Sequence, residues 1–277
     1  MSDSNIPNLK LHKIIDSTKK ALPETASAVD HALSSVLNIV GYPTNYVSEY
    51  AKYSISKLQK KLNEKLSNTS SDKVVSPPVH IAAPILEKSR FTADCEELHS
   101  MFASLLATSM NYDTQSLAHP AFIRIIEELS PLEAKILTNE NFDRGYNAMA
   151  SLRIQEKRGS SMFFKNPLSD DYRWLTTGHS LIEHMMSYQS LNDLSVEQLV
   201  LSSSITNNFN RLGIFEFPSG IHVSSIKRYE TLTAAIKNYI DVCSKREKLP
   251  ANLEYAIIPE AAVLTEFGRR FIAACVR

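Results

Sequence analysis

The chain has 277 residues, 43% apolar and 22% charged, with 30 basic side chains against 30 acidic ones. That is enough chain for two cores of ordinary size, and too apolar a composition for disorder. The balanced charge excludes a global field drawing the protein to nucleic acid or to anionic lipid.

Residues 9–22 place Leu9, Leu11, Ile14, Ile15 and Leu22 against Lys10, Lys13, Lys19 and Lys20, a basic amphipathic helix. From Glu24 to Val40 the residues Ala26, Val29, Leu33, Val36, Leu37 and Val40 approach a heptad stripe, interrupted by Asp30 and His31. Gly41-Tyr42-Pro43 stops that helix, and a long one follows from Pro43 to Leu66 with its lysines late, where they suit the dipole. The two predict a helical hairpin. Ser67–Asp72 is a small polar run without periodicity, the expected linker.

The next stretch is the most legible. Pro77-Pro78 forces an extended entry, and Pro84 is expected in the first turn of a helix carrying Ile85 and Leu86. Leu98, Met101, Phe102, Leu105, Leu106 and Met110 form one helical stripe. A third helix starts behind His119 at Pro120, where the histidine reads as a cap on the first turn. Ser130-Pro131-Leu132-Glu133 is a capping box with a first-turn proline.

Beyond Phe142 the pattern loosens. Arg153–Arg158 is charged and leads to Gly159-Ser160-Ser161, an expected exposed loop, while Leu181, Ile182, Met185 and Met186 read as a short helical stripe. Ser195 with Gln198 is a second capping box, opening a helix to Leu212. Ile214–Phe217 reads as a strand, with Ile221-His222-Val223 expected to pair back. A helix through Tyr229–Cys243, a strand at Tyr255–Ile258 and a last helix from Leu264 complete the order. This succession resembles a winged helix expanded by two insertions.

The residues Pro77-Pro78, Ala83–Glu87, Phe102–Ala107, Met110, His119–Phe122 and Leu129–Leu137 occur as an ordered run. Together they resemble the signature of the bacterial Abi-alpha (abortive infection alpha) family, closely over residues 74–140 and more loosely from Leu264 to Cys275. The resemblance implies a role in defence against phage, and no mechanism. Its positions here are Pro78, Pro84, Glu87, His119, Pro120, Ser130 and Pro131.

Motifs that carry chemistry are sparse. There is no glycine-rich phosphate loop, no H-E-x-x-H and no G-x-S-x-G elbow. His179 and His184 are five residues apart, the wrong spacing for one helical face, so no metal is expected there, and no cofactor is expected elsewhere. Cys95, Cys243 and Cys275 have no short spacing and suggest neither disulfides nor zinc. The first residues lack a secretory pattern, and no window approaches the roughly 20 apolar residues of a membrane span, so a cytoplasmic location is expected.

The fold expected is mainly α: an N-terminal helical segment over residues 1–72, then a domain over 73–277 combining the helical signature with a winged-helix-like part of a few short strands. The function expected is growth arrest by non-enzymatic binding or conformational release. The expected partner is a phage or host protein; self-association and membrane-surface contact by the N-terminal helices stay open. Two alternatives stand beside it. One is a ribonuclease resembling the HEPN type, with Arg173 and His179 as its catalytic pair. The other is a winged-helix regulator touching DNA through Asn207, Asn208 and Arg211, a face without lysine and so disfavoured for nucleic acid.

Overall fold

The computed structural model describes residues 24–40, 49–142, 145–157, 179–191 and 195–276. The chain forms two compact units, one running to Thr138 and taking in the segment from Arg270, the other being Asn139–Arg269. The helix expected at residues 9–22, the Gly41-Tyr42-Pro43 stop and Gly159-Ser160-Ser161 lie outside the described residues.

The first unit is helical: α1 (Glu24–Val40), α2 (Glu49–Leu66), α3 (Val79–Ser89), α4 (Glu96–Met110), α5 (Ala121–Glu128) and α6 (Pro131–Asn139). Its axis is α4, where every residue from Met101 to Ala107 is buried. A helix apolar all round belongs in the middle of a bundle, and α2, α3 and α5 pack against it. The polar run at Ser67–Asp72 lies inside this unit, where Thr25 Oγ1 donates to the Thr69 carbonyl at 3.2 Å.

Prolines set the helix starts. Pro78, with φ −58° and ψ 132°, is the extended residue in front of α3. Pro84 stands in the interior of α3 and not in its first turn, because the helix already begins at Val79. The missing N–H leaves the His80 carbonyl without its usual helical donor. Ahead of α6 the capping box forms in both directions: the Ser130 N–H donates to Glu133 Oε2 at 2.7 Å, and the Glu133 N–H to Ser130 Oγ at 3.2 Å.

The second unit carries a four-stranded antiparallel sheet in the order β2-β1-β4-β3: β1 is Tyr146–Glu156, β2 His179–Met186, β3 Phe215–Glu216 and β4 Leu253–Leu264. Two helices, α7 (Val196–Arg211) and α8 (Glu230–Arg246), pack on it, and α9 (Glu266–Cys275) leads out of the unit. β1 pairs with β4 along its whole length, from Tyr146↔Val263 to Glu156↔Leu253. Ala150, Leu152, Ile182 and Met185 meet Leu199 of α7 and Leu232 and Ile236 of α8 in its core.

This sheet overturns the mainly-α, winged-helix-like expectation. Strands of 11 and 12 residues paired end to end are the centre of a mixed α/β unit, not a short wing. The charged segment from Arg153 continues β1 through Glu156, and the stripe at Leu181–Met186 is strand β2. Ile221-His222-Val223 forms no strand with any of the described residues; the Val223 N–H donates instead to the Tyr229 hydroxyl at 2.7 Å. Ser195 does stand at the N-cap of α7, but neither Ser195 nor Gln198 makes a cap bond there.

Side-chain hydroxyls bond part of each sheet edge. Ser202 of α7 accepts from the Met186 N–H at 2.9 Å and donates to the Met186 carbonyl, while Ser203 donates to the Glu183 carbonyl. On the far side β3 covers only the end of β4, which leaves room for Pro259 inside a strand. There Tyr229 donates to the Glu260 carbonyl at 2.8 Å. An edge strand with unpaired backbone groups invites foreign pairing, and these contacts occupy some of those groups.

Candidate functional site

Two places in the described residues combine polar groups in ways that packing alone does not demand, one in each unit.

In the first unit it is the seat of α1 and α2. Ser54, Leu58, Leu62 and Leu66 recur every four residues, so they form one row along α2, and all are buried. Alongside that row runs a polar seam to the α3–α4 turn. Tyr50 donates to Asp94 at 3.0 Å, Ser54 Oγ to the Ser89 carbonyl at 2.7 Å, and Lys57 Nζ to the Ala93 carbonyl at 2.8 Å. Lys57 also pairs with Glu96 at 2.7 Å, as does Lys61. Hydrogen bonds from Lys57, then Lys61, hold the Glu96 carboxyl down at about 2. Glu96 is the first residue of α4, where the helix dipole favours a negative charge.

Beneath the seam lies His99, with none of its surface exposed. Its Nδ1 is 3.5 Å from Thr92 Oγ1, and Nε2 makes no hydrogen bond. Burial, then the charges of Lys57 and Lys61, lowers the imidazole to about 4, so the ring is neutral at physiological pH.

On α1 the buried stripe of Ala26, Val29, Leu33 and Val36 includes one charged residue, Asp30, only 4% exposed. Its Oδ1 accepts from Gln59 Nε2 of α2 at 2.5 Å, and its Oδ2 has no partner. A buried carboxylate oxygen left unpaired weakens the contact that contains it, by about 1–3 kcal/mol or more.

In the second unit the feature is a bulge on β2. Ala150 faces Met185 and Leu152 faces Ile182, so Glu183 and His184 together oppose Ser151. His184 takes φ 57°, the one positive φ among the non-glycine described residues. Its N–H donates to Ser151 Oγ at 2.9 Å, and Ser151 donates to Glu260 Oε2 at 2.5 Å. The imidazole Nδ1 sits 2.8 Å from Asn207 Oδ1 of α7, and the ring lies 4.6 Å from that of Phe217. A serine, a histidine and a glutamate thus meet, but not as a nucleophilic triad: the Ser151 proton goes to the carboxylate, not to the imidazole.

The residues singled out in the sequence fall in several places. Pro78, Pro120, Ser130 and Pro131 stand at helix starts, and His119 Nδ1 accepts from the Ala121 N–H at 3.1 Å. Glu87 is exposed on α3. The signature is therefore mostly a set of helix-start devices. Asn207 joins the bulge, whereas Asn208 accepts from the Arg211 guanidinium at 2.7 Å on the exposed side of α7. Arg173 lies outside the described residues, and His179 opens a strand opposite Ile154 and not a helix end. No group of three metal-ligating side chains occurs among the described residues, and no described helix is long and apolar enough to cross a membrane. Ser151, His99, Glu260 and Phe217 went unnoticed in the sequence because their partners lie on distant elements.

The chain belongs to the abortive infection alpha family, whose sequence profile matches residues 51–275. That family is one of phage defence. No characterised protein and no solved structure matches the chain.

Proposed function

We propose that this protein acts in abortive infection without catalysis, by releasing α1 and α2 from their seat to engage a phage or host component and halt growth. The observation that carries this reading is Asp30. The seat combines an apolar row with ion pairs, yet within the apolar stripe of α1 it buries a carboxylate with one oxygen unpartnered. Replacing a buried charged group by an apolar one of similar volume is often neutral or stabilising. An interface that keeps the charge is weaker than its apolar area allows, which suits a seat that must open.

The test is Asp30→Leu in the full chain. Protection would be scored as growth of host cultures infected at low and at high phage multiplicity, beside an empty-vector control. The expected result is a raised melting temperature together with lost protection, since the hairpin no longer leaves. Unchanged protection in a stabilised protein would remove release as the mechanism. Intact protection combined with degraded host RNA would favour a nuclease instead.

A further inference from the structure

The hydrogen-bonding capacity around the bulge is almost entirely assigned. Asn207 Nδ2 donates to the Ser203 carbonyl at 2.9 Å, which turns its Oδ1 towards the imidazole. The Nδ1–H of His184 therefore donates to Asn207 Oδ1. Nε2 makes no hydrogen bond among the described residues. Ser151 is used twice, by the His184 N–H and by Glu260. Glu260 keeps Oε1 without a described partner.

What remains open is an imidazole nitrogen and a half-buried carboxylate, with Ser151 bonding the carboxylate and the His184 main-chain N–H, beside the half-exposed ring of Phe217. Glu183, next in the chain, adds an exposed negative charge. The nearest cation along α7, Arg211, has its guanidinium on Asn208. The imidazole is held at this place by a left-handed backbone that a glycine would adopt without strain, and such strain concentrates where a side chain is needed.

We propose that the His184 bulge binds a hydrogen-bond-donating organic cation, an ammonium or a guanidinium group. The cation donates to His184 Nε2 and Glu260 and lies against Phe217, as charge-assisted hydrogen bonds and cation–π contacts favour. Its source is either a free amine or the Lys or Arg side chain of a partner protein. This site is separate from the seat of α1 and α2, and neither proposal depends on the other.

The experiment is a long-range proton–nitrogen spectrum of the full chain labelled with ¹⁵N-histidine. In the unliganded protein His184 should carry a proton on Nδ1. Spermidine, arginine amide and a lysine-rich peptide are then titrated in turn, with N-acetylated amines as uncharged controls. The Nε2 resonance should move saturably with the cations and not with the controls. Glu260→Gln should weaken binding by about 10-fold, the loss expected for a hydrogen bond to a charged group, and Phe217→Ala by roughly 2- to 30-fold, the range of a cation–π contact. Movement with the small amines assigns a free cation, and movement with the peptide alone assigns a partner's side chain. A proton on Nε2, or a resonance indifferent to every cation, would overturn the proposal, and neither reading requires a variant to fold.

Discussion

Lowering the pH from 7 towards 4 should weaken the first unit, and His99 sets the size of the loss. Burial, then Lys57 and Lys61, brings its imidazole from 6.5 down to about 4; Glu96 and the Ser89 backbone oppose this more weakly. Between those two values the unfolded chain binds a proton that the folded chain refuses. The stabilisation from the neutral ring is therefore complete above pH 6.5 and is lost as pH falls to 4, at most about 3 kcal/mol. Glu96 acts in the same direction but lower down, between its ordinary 4.5 and about 2. Its side chain is 61% exposed, so its share stays below about 1 kcal/mol. The interval from 6.5 to 4.5 thus isolates the histidine. Urea unfolding followed by circular dichroism, at about pH 7.5 and about pH 4.75, should show a drop of roughly 2 kcal/mol in the native chain. His99→Leu should lack that part of the slope. Equal slopes in the two proteins would refute the assignment, and so would a native chain that gains stability on acidification. Protonation also puts a third positive charge beside Lys57 and Lys61, so amide exchange along α2 should quicken over the same interval.

Two further substitutions separate real devices from apparent ones. A Cβ on Gly268 would stand 2.2 Å from the Ile214 carbonyl oxygen and 2.9 Å from its carbon, both backbone atoms. Gly268→Ala should therefore cost about 3 kcal/mol, read as a lower urea midpoint; a neutral result would mean that α9 shifts freely against that turn. Ser130→Ala should cost about 1 kcal/mol by breaking the capping box before α6, whereas Ser195→Ala should cost well under half of that, since Ser195 makes no side-chain cap bond. Equal losses at the two serines would show that the cap geometry is not what matters.

The helices of the first unit were legible because their signals are local. Pro78, Pro120 and the Ser130–Glu133 box act within one turn of the residues they affect. The sheet was only partly hidden. On β1 the apolar Ala148, Ala150, Leu152 and Ile154 alternate with the polar Asn147, Ser151, Arg153 and Gln155, a strand pattern broken only by Met149, although the polar face too is largely buried. On β2 the register shifts twice, between Ala150 and Leu152 and again before Arg153 of its partner strand. Each extra residue moves the apolar set by one position, so Leu181, Ile182, Met185 and Met186 imitate a helical stripe. On α7 the face with Asn207, Asn208 and Arg211 read as an unpromising surface for phosphate, whereas the bonds of Ser202 and Ser203 to the β2 backbone were not legible, because the strand they meet lies elsewhere in the chain.

The extent of the family match bears on mechanism. It begins at residue 51 and so takes in α2 from near its start, the α3–α4 turn, Glu96, His99 and the whole sheet, while α1 precedes it. The parts of the seat that hold α2, namely Ser54, Lys57, Lys61 and their partners, lie within the matched region; Asp30, the weak point of the seat, lies outside it. The signature prolines and the capping box build the scaffold and touch neither polar cluster. Family membership therefore identifies the frame on which function is mounted. The two proposals place the specific event outside that signature, in α1 with its half-partnered carboxylate or at the imidazole of His184. A protein that kept every signature residue but carried Asp30→Leu would then fold better and defend worse, and that dissociation of stability from protection is the outcome a release mechanism requires.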